Sequence, residues 1–136
     1  MHIVTLEDSG IRSVADFKGR RVSTGAAGSA TDVKAVRILE AYGLSPNDLR
    51  SRDRLSVVEQ ANALRDKKID AFFWNSGIPT GTIIDLALTS GVKMRLLPHG
   101  DVVAKIAQKY GQYYFAGTIP KGTYKGIDAD VPVLAE

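Results

Sequence analysis

Short apolar runs alternate with amphipathic stretches along this chain, a pattern that predicts strands feeding helices. His2–Leu6 reads as a short strand. Ser13-Val14-Ala15-Asp16 has the form of a capping box, and Gly19 stops the turn that it starts. Arg21–Thr24 is a strand candidate. A small-residue loop, Gly25 to Asp32, then opens a helix that carries Val33, Val36, Leu39 and Tyr42 toward a core and ends at Gly43. Pro46 to Arg54 is polar and irregular. Ser56-Val57-Val58-Glu59 is the cleanest capping box, heading a helix with Val58, Ala61 and Leu64 on one face. Ile69 to Trp74 is a strongly apolar run, short enough for a buried strand. Gly77-Ile78-Pro79 leads into a helix through Ile83, Ile84, Ala87 and Leu88, closed by Gly91. Lys93–Leu97 is a further strand, and Asp101 caps a helix with Val103, Ile106 and Tyr110 that Gly111 closes. Helix starts are expected near Ser29, Ser56, Pro79 and Asp101. Beyond Gly111 the chain turns polar and Gly-rich and ends in Asp128 to Leu134.

This order predicts an α/β fold: one domain, with a mixed central sheet flanked by helices and the strands at 21–24, 69–74 and 93–97 in one sheet. Sheets of this kind bind ligands at the carboxyl ends of their strands, beside helix N-termini. Two loops meet that requirement, Gly25 to Thr31 and Asn75 to Pro79.

Composition narrows the chemistry. A chain of 136 residues, 44% hydrophobic, suits a single domain that buries a core without staples. There is no cysteine, which excludes disulfides, thiolate nucleophiles and cysteine metal sites. The net charge of +3 comes from scattered cations. Asp53 interrupts the group Arg50, Arg52 and Arg54, Asp48 precedes it, and no aromatic residues interleave with it, which argues against nucleic acid as a partner. No apolar stretch approaches the roughly 20 residues of a membrane span. The opening MHIVTLEDSG lacks the basic and apolar regions of an export signal.

The loop Gly25-Ala26-Ala27-Gly28-Ser29-Ala30-Thr31 is the best functional candidate. Small residues let a ligand approach the backbone, and the amides at a helix start attract an anion. Ser29 and Thr31 add hydroxyls. Neither the Walker spacing nor the dinucleotide fingerprint is present. A plain tight turn, with Ser29 and Asp32 forming a capping box, explains the same residues. Trp74, with Asn75, Ser76 and Gly77 after it, forms the second candidate: Trp74 either walls a ligand or caps the core. Strand alternation sends Ala71 and Phe73 to one face and Phe72 and Trp74 to the other. Tyr113-Tyr114-Phe115 either lines a cleft or packs a strand. The Asp128-x-Asp130 pair reads as a solvated turn. His2 and His99 pair with no nucleophile motif, so the chain reads as a non-enzyme without a cofactor.

Taken in order, Ser9 to Ser23, Gly28-Ser29-Ala30-Thr31, Ile69 to Trp74, Thr118 to Tyr124 and Asp128 to Pro132 resemble the TAXI branch of TRAP transporter solute receptors. That resemblance implies a type II periplasmic-binding-protein fold, two α/β lobes around a cleft, of which residues 1–136 form the second lobe without the first lobe or signal peptide. It implies a periplasmic or otherwise extracytoplasmic receptor for a small organic acid, glutamate-like or dicarboxylate, delivered to a TRAP-type permease. The ligand carboxylate would meet the amides of Gly28, Ser29, Ala30 and Thr31. Trp74 would wall it, and Asn75, Ser76 and Gly77 would orient it. Ala30 stands where many members have Gly, and Asn75-Ser76 where Thr-Ala is usual. An apolar cleft face around Trp74 would also allow self-association. A phosphate-binding transferase domain and the effector domain of a transcription regulator are the alternatives.

Overall fold

A computed structural model describes residues 1–135. Its centre is β4 (Ala71–Trp74), whose first three residues are buried. It lies between β2 (Arg21–Ser23) and β1 (His2–Leu6), with β3 (Ser51–Asp53) and β5 (Met94–Leu96) at the edges, in the order β3-β2-β4-β1-β5. β2 is parallel to both β3 and β4, with Val22 opposite Ala71 and Ser23 opposite Phe72. β1 runs antiparallel to β4 and to β5. The sheet is therefore mixed, and its expected strands lie in it together.

Two apolar layers follow from strand alternation. Ile3, Val22, Ala71 and Phe73 pack on one face with Ala35, Ile38 and Leu39 of α1 (Ala30–Ala41) and Val103 and Ile106 of α4 (Val103–Tyr110). Val4, Phe72 and Leu96 pack on the other with Ala61 and Leu64 of α2 (Val57–Arg65) and Ile83, Leu86 and Ala87 of α3 (Gly81–Leu88). Phe73 meets Phe17 edge-on at 5.8 Å between ring centres. Burying each such ring contributes about 2–3 kcal/mol. The result is a three-layer α/β architecture.

Two of the four expected helix starts are capped by a side chain, while Asp101 does not cap α4: it sits inside the preceding 3₁₀ turn and its carboxylate accepts from the Tyr42 hydroxyl. Ser29 and Ser56 are the N-caps of α1 and α2, and Ser56 and Glu59 form the expected box. Thr80 precedes α3, and a short 3₁₀ turn at Gly100–Val102 leads into α4.

Several expectations fail. Val33 is 44% exposed and Val58 is 54% exposed. α1 instead buries Thr31, Ala35, Ile38 and Leu39, and α2 buries Gln60, Ala61 and Leu64. In both helices the core stripe is rotated toward small or polar residues that the apolar pattern passed over. The stretch read as irregular contains edge strand β3, whose polar residues are only partly buried. The Gly-rich end holds a second sheet, β6 (Phe115–Ile119) antiparallel to β7 (Val131–Ala135). Its connection packs Tyr124 and Ile127 into the second core layer. Of the aromatic cluster, Tyr114 is buried, while Tyr113 and Phe115 face solvent because consecutive residues there point to opposite sides.

Candidate functional site

The carboxyl ends of β2 and β4 are neighbours, so the loops that follow them meet. Three glycine and hydroxyl features shape the first loop. Gly25 has φ of +94°, and a Cβ there would lie 2.7 Å from Thr31 Cγ2, so glycine is required on both conformational and steric grounds. The Ser29 amide donates to Ala26 O at 3.0 Å, which closes the turn. Ser29 Oγ accepts the Asp32 amide at 3.2 Å and caps α1.

Asp32 does not complete the expected capping box. Its carboxylate turns back into the loop and accepts from Thr24 Oγ1 at 2.6 Å, from the Gly28 amide at 3.1 Å and from Arg52 at 2.7 Å. Arg52 also donates to Thr24 Oγ1 at 3.3 Å. Burial pushes the Asp32 pKa up, but hydrogen bonds from Thr24, Arg52 and Gly28 outweigh it and hold the carboxyl below its ordinary range. The Gly28 amide is therefore engaged within the chain. The amides of Ala30 and Thr31, the first two of α1, find no acceptor among the described residues, as expected at a helix start.

The second loop joins the first through one bond: the Asn75 amide donates to Thr31 Oγ1 at 3.2 Å. Thr31 is buried beneath this junction. Trp74 is half-buried and packs against the second core layer, so most of its ring caps the core and does not stand free as a wall. Its Nε1 and the Nε2 of buried Gln60 are enclosed donors without an acceptor among the described residues. Ser76 and Gly77 lie on the exposed part of the loop, with Ile78, not Trp74, as its exposed large apolar residue. Of the residues expected at the site, the fold brings Gly28, Ser29, Ala30, Thr31 and Asn75 to one junction, while Trp74 turns inward. Thr24, Arg52 and Gln60 were not anticipated. They reach the junction from β2, β3 and α2, and no local motif marks them.

The two histidines are held inside the fold. His2 and His99 are fully buried, and burial lowers both to a pKa of about 4. Both ring nitrogens of each have hydrogen-bond partners. Asp32 is tied to Arg52. No cluster of three or more potential metal ligands exists among the described residues, and no described helix is long and apolar enough to cross a membrane. A concavity of about 360 Å³ between Leu6, Asp8, Lys67 and Lys93 lies at the opposite end of the sheet from these loops.

The profile of the NMT1-like family, by that description, matches residues 1–136. The chain belongs to the NMT1-like family. This NMT1-like chain is also similar to solved structures. One is the periplasmic aliphatic sulphonate binding protein SsuA from Escherichia coli, 26% identical with a TM-score of 0.59, covering 74% of this chain and 30% of that one. Another is the alkanesulfonate-binding protein SsuA from Xanthomonas axonopodis pv. citri bound to MOPS, 30% identical with a TM-score of 0.56, covering 74% of this chain and 32% of that one. A third, a putative periplasmic sulfonate-binding protein from Methylobacillus flagellatus KT, shares the fold at 20% identity, with a TM-score of 0.55 and coverage of 71% and 26%. The NMT1-like chain thus has the architecture of a periplasmic-binding-protein lobe, and it spans about a third of the length of the structures it matches.

Proposed function

We propose that this chain is the second lobe of an extracytoplasmic solute-binding receptor, holding the anionic head of a small organic acid. The observation that carries the reading is the junction of the two loops at the carboxyl ends of adjacent parallel strands, with the amides of Ala30 and Thr31, without an acceptor among the described residues, beside Asn75. A sulfonate or carboxylate head would accept from these amides and from the Ser29 hydroxyl, aided by the positive end of α1. Gly28 supports the loop through Asp32, so its amide is a secondary donor. Asn75, Ser76 and Gly77 would orient the body of the ligand against the edge of Trp74.

The sulfonate-binding relatives support a sulfonate, and the TAXI-like motifs support a glutamate-like or dicarboxylic ligand. The same division extends to the membrane partner: the motifs favour a TRAP-type permease, and the relatives favour the permease that serves their own ligands. A single lobe leaves one side of the ligand in water, where charge-assisted bonds count for little net. The chain is therefore expected to bind at about millimolar Kd, near −4 kcal/mol. Titration of Trp74 fluorescence and calorimetry with MOPS, glutamate and succinate tests this. Weak binding of one class, abolished by Ser29→Asp, is expected. Micromolar binding would refute the half-cleft reading, and full retention in Ser29→Asp would reduce the first loop to a turn. Self-association through the exposed loop at Ile78 is expected to be weak, and sedimentation measures it.

A further inference from the structure

We infer that His2 and Tyr124 are positioning residues that hold the second cleft loop by tying its two ends together. This rests on the receptor reading for its functional meaning. The loop leaves β4 at Trp74 and enters α3 at Thr80. Between them Ser76, Gly77, Ile78 and Pro79 are exposed. Such a segment is mobile unless its ends are tied.

The ties come from distant parts of the chain. The Thr80 amide donates to Tyr124 Oη at 2.9 Å. Tyr124 Oη lies 2.7 Å from His2 Nε2, and His2 Nδ1 lies 3.2 Å from the Trp74 carbonyl oxygen. A carbonyl can only accept, so Nδ1–H donates to Trp74 O, and the Thr80 amide donates to Tyr124 Oη. Burial favours the neutral imidazole, whose Nε2 then accepts from the Tyr124 hydroxyl. In that state the relay has one polarity.

Both members are rigidly placed. His2 is on central strand β1, directly opposite Trp74 in the ladder, and is fully buried. Tyr124 is 3% exposed, and its ring meets that of His2 at 5.7 Å between centres. Its connection is closed by bonds from Gly122 N to Ile127 O and from Ile127 N to Tyr124 O. The second sheet's connection thus reaches across the core layer to set the loop, while Thr31 holds Asn75 from the other side.

Amide hydrogen exchange on this chain tests the relay without a ligand. In Tyr124→Phe, which keeps the ring and removes the hydroxyl, exchange at Thr80 and through residues 75–84 is expected to rise about tenfold, the effect of one lost hydrogen bond, while β2 and β4 stay protected. His2→Leu is expected to reproduce this. His2→Gln, which can still donate and accept, is expected to restore most of the protection. The Kd for MOPS is expected to rise about tenfold in the two disruptive variants and little in His2→Gln. Uniform acceleration across the second core layer, or unchanged exchange at Thr80, would overturn the inference. A wild-type chain that ignores MOPS and every carboxylate would remove the receptor reading, while the exchange result would still decide whether the relay holds the loop.

Discussion

Replacing Asp32 by Asn removes one charge and one acceptor from the root of the first loop without changing its size. In the native chain Oδ1 accepts from Thr24 and Arg52, and Oδ2 accepts from the Gly28 amide. If the Asn oxygen takes the Oδ1 position, its amide nitrogen faces the Gly28 N–H, donor against donor. If the group flips, that nitrogen faces Arg52 and Thr24. Either way a partly buried guanidinium loses its counter-charge. Breaking a fully buried pair costs about 3–5 kcal/mol. The Arg52 side chain is 22% exposed, so water recovers part of that and about 2–3 kcal/mol remains. That loss corresponds to a fall in Tm of roughly 10 °C for a domain of this size. Urea unfolding and calorimetry would measure it, and hydrogen exchange at Gly28 would localise it. The folded pKa of Asp32 lies below its unfolded value, so its contribution is complete above about pH 4. It disappears as pH falls through the folded pKa, and the gap between wild type and Asp32→Asn should close there. A variant within 0.5 kcal/mol of wild type, with the Gly28 amide still protected, would refute Asp32 as the support of the loop.

Gly25→Ala places a Cβ against Thr31 in a left-handed backbone, so a loss of about 2–3 kcal/mol is expected, with weaker anion binding; a neutral substitution would contradict the close approach. Acid sensitivity should begin above the carboxylate range. His2 and His99 have folded pKa values near 4, so the unfolded chain takes up their protons first as pH drops below about 6.5. Stability is expected to fall between about pH 6.5 and pH 4 by up to roughly 3 kcal/mol for each histidine, then level off in this respect. Urea midpoints across that range should show it, and His2→Gln should remove about half the slope. Phe73→Ala deletes a fully buried ring stacked edge-on against Phe17 and is expected to cost about 3–5 kcal/mol in the same unfolding assay, with less than 1 kcal/mol contradicting its central place.

Local chemistry wrote part of this structure into the chain. Ser29 and Ser56 announce their helices because a cap is a contact over three residues, and Ala71 to Phe73 announce a buried strand because both faces are apolar. Small residues from Gly25 to Thr31 announce a close backbone approach for the same local reason. Contacts between distant segments left no such mark. Arg52 sits in an alternating charged stretch that looks solvated, yet a parallel pairing with β2 carries it to Asp32. The faces of α1 and α2 depart from the apolar pattern because small and polar residues fill the core when they have partners: Thr31 receives Asn75, and Gln60 receives Ser23. His2 and Tyr124 are 122 positions apart and acquire a joint role only when β1 and the connection of the second sheet meet. The sequence by itself therefore determined the strands, helices and small-residue turns whose signal is local, and it left β3 and the second sheet unmarked. Only the tertiary structure decided which polar groups hold those turns in place, because a hydrogen bond specifies geometry between its atoms and nothing about the length of chain between them.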